Sequence, residues 1–120
     1  MQDHRKLRVW QHAHELAIEV RRVSRTFPRT GYAPLQNQLT RAAESIVFNI
    51  AEGCGSTSHR EFARFLEIAV KSTVELEAQI ELAKDYGAIS PAKWNALFPR
   101  VVDARRMLCG LRAKVLAAAK

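Results

Sequence analysis

Apolar residues recur every three or four positions along most of the chain, the spacing that places them on one face of an α-helix. The first such run begins at Val9 and ends before Pro28, whose ring cannot continue the helical hydrogen bonds. Three further runs have the same period, and no segment alternates apolar and polar residues as a half-buried strand does. The pattern therefore predicts four amphipathic helices, at about 9–27, 34–52, 59–86 and 91–118.

Residues with strong terminal preferences stand where these helices should begin and end. Ser58 and Glu61 have the spacing of a capping box, in which each side chain accepts a hydrogen bond from the other residue's backbone N–H. Gly53 or Gly55 can end the second helix in the left-handed conformation, and Gly87 can end the third. These residues predict short connections between the helices.

The length of the chain and its short connections together predict the architecture. A chain of 120 residues suits one domain, here 1–120, and a hydrophobic fraction of 48% is enough to fill its core. Four helices with short links favour an all-α, antiparallel up-down four-helix bundle. In that topology the first and last helices are neighbours.

The net charge of +7 is concentrated at the two ends of the chain. Residues 1–30 carry +4 and residues 88–120 carry +6, whereas segments 31–58 and 59–87 carry −1 and −2. A positive field of this kind attracts polyanions and acidic protein surfaces. Because the first and last helices are expected to be neighbours, their cations should form one basic surface.

This basic surface is the candidate site for nucleic-acid contact. Arginine outnumbers lysine in the chain, and its planar fork of donors suits phosphate. No aromatic residues are interleaved with the arginines, so stacking on single-stranded bases is not indicated. The alternative is a solvated face that only keeps a small protein soluble. The candidate residues are Arg21, Arg22, Arg25, Arg29, Arg100, Arg105, Arg106, Arg112 and Lys114.

Polar residues follow one edge of the apolar face on both the second and the third helix. In a tight hairpin, Arg41 comes opposite Ser72 and Glu75. Asn49 then comes opposite Arg64. Two interpretations are open: a ligand site built from amides and ion pairs, or a partly buried hydrogen-bond network that sets the register of the helices. The candidate network comprises Arg41, Ser45, Asn49, Glu52, Arg64, Ser72, Glu75 and Gln79.

Phe48 lies about 200° around the second helix from Ile46, so it cannot share the same core. With Val47 and Ala51 it widens the apolar surface beyond what the interior of a four-helix bundle uses. A patch of this kind is typical of a subunit contact. We therefore expect a homo-oligomer in which Phe48 is buried between chains.

The residues give little support to covalent or metal chemistry. Cys54 and Cys109 are too few for a disulfide framework and lack the spacing of a zinc site. The Glu-x-x-His pairs of a di-iron bundle do not occur. We expect no catalytic site, metal or cofactor. The charged N-terminus does not have the pattern of a signal peptide, and no apolar run is long enough to span a membrane, so a cytoplasmic location is expected.

Several of these segments resemble one protein family. The runs Arg41–Gly53 and Glu61–Ala69, followed by Ser72 and Glu75–Ile80, are similar to the four-helix-bundle proteins first named from open reading frames in intervening sequences of bacterial 23S ribosomal RNA genes. The motif Ser-Ile-x-x-Asn-Ile-Ala-Glu-Gly is the most specific part of the resemblance, which covers roughly residues 8 to 90.

The resemblance implies a bacterial cytosolic bundle that assembles as a ring of five and has no established enzymatic activity. A related branch, the accessory variability proteins of diversity-generating retroelements, is similarly basic and pentameric and binds nucleic acid and a reverse transcriptase. The leading hypothesis is therefore a non-enzymatic, oligomeric binding module that contacts RNA, DNA or a nucleic-acid-handling protein. The alternative is a structural scaffold that binds an acidic protein and no nucleic acid.

Overall fold

The computed structural model of the protein describes residues 1–119, in which four α-helices follow a short 3-10 turn at His4–Lys6. No strand occurs among these residues, and the predicted all-α class with four helices is confirmed. The helices are α1 (Arg8–Ser24), α2 (Ala33–Cys54), α3 (His59–Asp85) and α4 (Pro91–Ala117).

The helices are arranged in cyclic order, each packed against two neighbours. α2 lies between α1 and α3, and α4 closes the bundle by contacting both α3 and α1. The diagonal pairs, α1 with α3 and α2 with α4, make no close backbone approach within the described residues. Arg8 at the start of α1 and Lys114 near the end of α4 line one groove, so these two helices run antiparallel. The two basic ends of the chain therefore lie side by side in a bundle of 50 × 20 × 19 Å.

A single hydrophobic core forms where the apolar faces of the four helices meet. Burial of each large aliphatic side chain contributes about 1.5–3 kcal/mol. Thr73 is fully buried among these side chains, and its hydroxyl donates to the Val70 carbonyl at 2.6 Å, so the polar group is satisfied. The fully buried aliphatic residues are Leu16, Val20, Leu39, Ile46, Ile50, Leu66, Leu76, Ile80, Leu97, Val101 and Leu108.

The end of α1 differs from the expected boundary. The regular helix stops at Ser24, and the chain continues through a tight turn in which the Thr26 N–H donates to the Val23 carbonyl and the Phe27 N–H to the Ser24 carbonyl. Phe27 remains buried in the core. The apolar period therefore extends past the helix because the turn still directs this ring inward.

The end of α2 also differs, because the expected left-handed cap at Gly53 or Gly55 is wrong. α2 continues through Gly53 to Cys54, and Gly55 has an ordinary right-handed φ of −80°. Gly53 instead allows α3 to pack closely against α2, because a Cβ at this position would lie 2.8 Å from a ring carbon of Phe62. Gly87 does adopt the left-handed conformation, with φ 78°, at the end of α3.

The starts of α3 and α4 have serine caps. The Ser58 hydroxyl accepts the Glu61 N–H at 3.1 Å, and the Ser90 hydroxyl accepts the Lys93 N–H at 3.2 Å. The second bond of the expected capping box, from the Ser58 N–H to the Glu61 side chain, does not form in the described part of the chain. One serine hydroxyl therefore caps each of these two helices.

The contact at Gly53 predicts a destabilising substitution. In Gly53→Ala the new methyl group would also approach the Phe65 Cβ to 3.1 Å, an atom that is fixed to the α3 backbone. We expect overpacking to lower the free energy of unfolding by about 1–3 kcal/mol, measured by urea denaturation.

Gly110→Ala is the matched control, because a Cβ at this helical glycine meets nothing within 4 Å. It should raise the free energy of unfolding by up to about 1 kcal/mol through helix propensity. Equal stability changes in the two variants would contradict the close approach of α3 to Gly53.

Candidate functional site

The nine basic candidate residues do not form one continuous surface, although α1 and α4 are adjacent. The rotation of each helix directs them towards different neighbours. Arg105 and Arg112 pair with residues of α3, whereas Arg21 and Arg25 face α2. Arg29 is exposed in the connection that follows α1, and the other four line grooves between α1 and α4.

The two candidates that face α3 are paired with its carboxylates. Arg105 Nε donates to the Glu77 carboxylate at 2.8 Å, and this hydrogen bond raises the pKa of Arg105. Arg112 Nη2 lies 3.6 Å from the Glu67 carboxylate. These pairs offset positive charge on this side of the bundle. Sequence reasoning that considered only the α1–α4 pair missed them, because the partners are about 30 to 45 residues away in the chain.

Three arginines line an open groove between α1 and α2. The groove has a volume of about 450 Å³ and is formed by Arg21 of α1, by Arg25 at the C-terminal cap of α1 and by Arg41 of α2. Its other lining groups are mainly polar, and the Gln36 side chain donates to the Ser24 carbonyl across it at 2.5 Å. This groove is therefore a polar, cationic surface with little apolar floor.

A second groove lies on the other side of the same part of α1, against α4. It has a volume of about 300 Å³ and includes Arg22, Lys93 and Arg100. Arg22 is paired with Glu19 at 2.8 Å. We call the cations of these two grooves, with Arg29, the arginine end: Arg21, Arg22, Arg25, Arg29, Arg41, Lys93 and Arg100.

The remaining candidates, Arg106 and Lys114, lie at the opposite end of the α1–α4 pair. They line a third groove, of about 590 Å³, together with Lys6 and Arg8 from the start of the chain. Its other lining residues are Leu7, Val9, Met107, Gly110 and Leu111, and we call it the apolar groove. Lys6 and Arg8 could not be assigned to this groove from the sequence, because their nearness to α4 depends on the register of α1 against α4.

Serine hydroxyls meet at the seam between α2 and α3. The hydroxyls of Ser45 and Ser72 are 2.8 Å apart, and the Asn49 amide donates to the Ser45 hydroxyl at 3.1 Å and to its carbonyl at 2.8 Å. The Ser72 hydroxyl also donates to the Ile68 carbonyl at 3.1 Å. These bonds satisfy polar groups within the seam and join the two helices at one level.

The register of α2 against α3 is displaced by one helical turn from the expected pairing. Ser45, and not Arg41, comes opposite Ser72. Asn49 bonds within its own helix, and it forms no hydrogen bond with Arg64 in the described residues. In this register, two phenylalanines of α3 pack against the glycine near the end of α2.

The other members of the expected network lie outside this seam cluster. Arg41 lines the α1–α2 groove, and the Arg64 guanidinium lies over a neighbouring phenylalanine ring, 4.5 Å from its centre. Glu52 and Glu75 are exposed and form no ion pair within residues 1–119. The side-chain amide oxygen of Gln79, Oε1, is buried and has no hydrogen-bond partner in the described part of the chain. The structure therefore brings together only three of the eight residues.

The candidate subunit contact contains one exposed aromatic side chain. Phe48 is 59% exposed on the outer side of α2. Val47 is buried in the chain's own core, and Ala51 is partly buried. Phe48 is thus the one large apolar side chain of this group that is free to contact another molecule.

Residues 1–119 contain no group of three or more His, Cys, Asp or Glu side chains placed to hold a metal ion. None of the helices in this range combines the length and the hydropathy needed to cross a lipid bilayer.

The model of the 23S rRNA-intervening sequence protein family matches residues 5–110. The chain belongs to this family. The match extends into α4, beyond the segments in which the sequence resemblance is specific.

A solved structure has the same fold as this chain. It is a crystal structure, at 1.70 Å resolution, of a protein with unknown function from the S23 ribosomal protein family of Bacteroides thetaiotaomicron. The two superpose with a TM-score of 0.81 at 21% sequence identity, over 87% of this chain and 97% of the other. No curated protein sequence matches the chain.

Both cysteines of this 23S rRNA-intervening sequence protein are free thiols, but their surroundings differ. Cys109 is exposed on α4, whereas Cys54 is buried at the end of α2. The N-terminal segment covers this end of α2, and the Gln2 N–H donates to the Cys54 carbonyl at 2.9 Å. Burial raises the pKa of the Cys54 thiol, and the Asp3 carboxylate adds to the rise. The reactive thiolate of Cys54 is therefore disfavoured.

This difference predicts selective labelling. At pH 8 in the folded protein, a maleimide should modify Cys109 and react with Cys54 on the order of 100-fold more slowly, because Cys54 becomes accessible only when the N-terminal segment opens. Intact-mass spectrometry should show one label in buffer and two in denaturant. Rapid double labelling of the folded protein would contradict the burial of Cys54.

Proposed function

We propose that this protein is a non-catalytic, oligomeric binding module of the bacterial cytoplasm that contacts the phosphate backbone of RNA or DNA through its arginine end. One observation carries the proposal: six cations from three helices line two grooves on either side of the C-terminal half of α1, against two carboxylates. The accessory variability proteins, a basic branch related to this family, support it by analogy.

The lining residues suit phosphate better than bases. Guanidinium groups form paired hydrogen bonds with phosphate oxygens, and five of the six groove cations are arginines. Gln36, Asn37 and Thr40 add neutral polar groups for phosphate or sugar oxygens. Neither groove is lined by an aromatic residue on which a base could stack. Binding should therefore depend on the backbone and discriminate little between sequences.

The competing explanation is a structural role for the same arginines. Cations near the end of a helix stabilise it by interacting with its dipole, and Arg21, Arg22 and Arg25 all lie at the end of α1. Under this explanation the protein is a scaffold that binds no nucleic acid. The two functions differ in whether polyanions bind, and binding measurements separate them.

Neutralising two groove arginines tests the proposal. Arg21→Gln/Arg25→Gln should bind labelled duplex RNA and duplex DNA about tenfold more weakly, measured by fluorescence anisotropy at 0.1 M salt. On duplex DNA the slope of log affinity against log salt should also become shallower by about 0.9 for each phosphate that the variant no longer neutralises.

Arg60→Gln/Lys71→Gln is the matched control, because it removes the same charge from exposed residues of α3, the helix diagonal to α1. It should keep most of the affinity, and circular dichroism should show equal helicity in both double variants. Equal losses of affinity would mean that only net charge matters. If the unaltered protein bound neither RNA nor DNA at low salt, the proposed nucleic-acid contact would be wrong and the scaffold function would be favoured.

The oligomeric part of the proposal is supported by Phe48. Its side chain adds nothing to the core of its own chain, yet it exposes an aromatic ring in the middle of the outer side of α2. Aromatic residues that are buried on association often provide much of the binding energy of an interface. We therefore assign Phe48 to a contact between identical chains.

Phe48→Glu should dissociate the assembly, because a carboxylate would be buried between chains without a partner. Light scattering after gel filtration should give the mass of a monomer for this variant and a larger mass for the unaltered protein at micromolar concentration. Val74→Glu is the control, since Val74 is similarly exposed (53%) but lies on α3. A monomeric unaltered protein would contradict the assignment.

A further inference from the structure

The apolar groove at the N-terminal end of α1 contains partly exposed apolar side chains that have no role in phosphate binding. Its floor consists of apolar side chains from the start of the chain and from the second half of α4: Leu7, Val9, Met107 and Leu111. Val9 belongs to the core, and the other three are only partly buried over it. The floor is therefore continuous with the core and remains accessible from outside.

Cations stand along the rim of this floor. Lys6, Arg8, Arg106 and Lys114 line the groove, and no carboxylate lines it. None of these four side chains forms an ion pair with any of residues 1–119, whereas Arg105 and Arg112 on the other side of α4 are both paired. The rim is thus complementary to a ligand that carries several negative charges.

Gly110 is a second, independent feature of the groove. It lies inside α4, where glycine reduces helix stability, yet its φ is negative and a Cβ at this position would meet nothing within 4 Å. Neither backbone conformation nor internal packing requires a glycine there. The missing side chain leaves the floor open and lets a backbone from outside approach α4 closely.

The dimensions of the groove suit two turns of a helix. Met107 and Leu111 are one turn apart, and the span from Arg106 to Lys114 measures about 12 Å along α4 at the usual rise per residue. An amphipathic helix with apolar residues at positions i and i+4 would fill such a floor. Its flanking carboxylates would then face the cations on both sides.

Nucleic acid fits this groove less well. Phosphates would pair with the rim but leave the apolar floor uncovered, and no aromatic side chain lines the groove for a base to stack on. We infer that the apolar groove is the docking site for an acidic amphipathic helix of a partner protein, with its apolar residues on Met107 and Leu111, its backbone over Gly110 and its carboxylates on the four rim cations.

A designed peptide tests this inference. The probe is a fluorescein-labelled helical peptide of about 16 residues, with leucines at i and i+4 flanked by glutamates; a peptide of the same composition in scrambled order is its control. We expect saturable binding of the patterned peptide to the full-length protein by anisotropy, and at least tenfold weaker binding of the scrambled one.

Gly110→Gln should weaken the binding of the patterned peptide at least tenfold, because the new side chain fills the floor. Ala113→Gln adds the same side chain to an exposed residue of α4 outside the groove and should leave the affinity unchanged. Arg106→Gln/Lys114→Gln should weaken binding about tenfold at low salt and less at high salt. Circular dichroism and thermal unfolding verify that each variant is folded.

Three results would overturn the inference. The first is equal binding of the patterned and scrambled peptides, and the second is an unchanged affinity in Gly110→Gln. The third is a change in oligomer mass or in duplex RNA affinity caused by Gly110→Gln, which would mean that a second copy of the chain or a nucleic acid occupies the groove. The RNA affinity of Arg21→Gln/Arg25→Gln tests the arginine end only, and it does not test docking at the apolar groove.

Discussion

The burial of one apolar face from each of four helices in a single core is the constraint on which the other features depend. Because all four apolar faces must meet, each helix has little freedom to rotate about its axis. The residues at the two edges of each apolar face therefore lie against a particular neighbouring helix. The closure of the bundle by α1 against α4 brings the N-terminal and C-terminal parts of the chain together. The two grooves between α1 and α4 are a consequence of this closure.

The same rotation separates the charges into groups with different roles. On the side of α4 that faces α3, arginines meet carboxylates and are paired, as in Arg105 with Glu77. On the side that faces α1, they line grooves with other cations and apolar side chains, and Glu19 of α1 is the one carboxylate among the lining residues. A net charge of +7 therefore says less about binding than the distribution of these residues over the four seams.

The sequence was sufficient to predict features that depend on residues close together in the chain. Helix periodicity and the serine caps are local, so the four helices and the starts of α3 and α4 could be predicted. The register of α2 against α3 could not, because it is defined by contacts between residues far apart in the chain, such as Ser45 with Ser72. The pairing of Arg112 with Glu67 and the nearness of Lys6 to Lys114 depend on the same kind of long-range information.

The family match and the fold were likewise accessible from the sequence, since the segment around Asn49 carries a specific motif. The candidate site was only partly accessible. Of the expected polar network, the seam cluster of Ser45, Asn49 and Ser72 was brought together, whereas Arg41 was turned towards α1. A pattern of polar residues identifies an edge of a helix, but tertiary packing decides which helix that edge meets.

The position of the arginine end and the apolar groove at opposite ends of α1 has a thermodynamic consequence. The nearest cations of the two surfaces, Arg100 and Arg106, are six residues apart on α4, about 9 Å at the usual rise per residue, which is close to the distance over which salt screens charges at physiological ionic strength. Under the two proposals, an anionic ligand bound at one surface would therefore weaken the attraction of the other surface for its own anionic ligand, by an amount that falls as the salt concentration rises. A chain that bound both ligands would then hold two chemically unlike molecules close together, with affinities coupled through the charges between them.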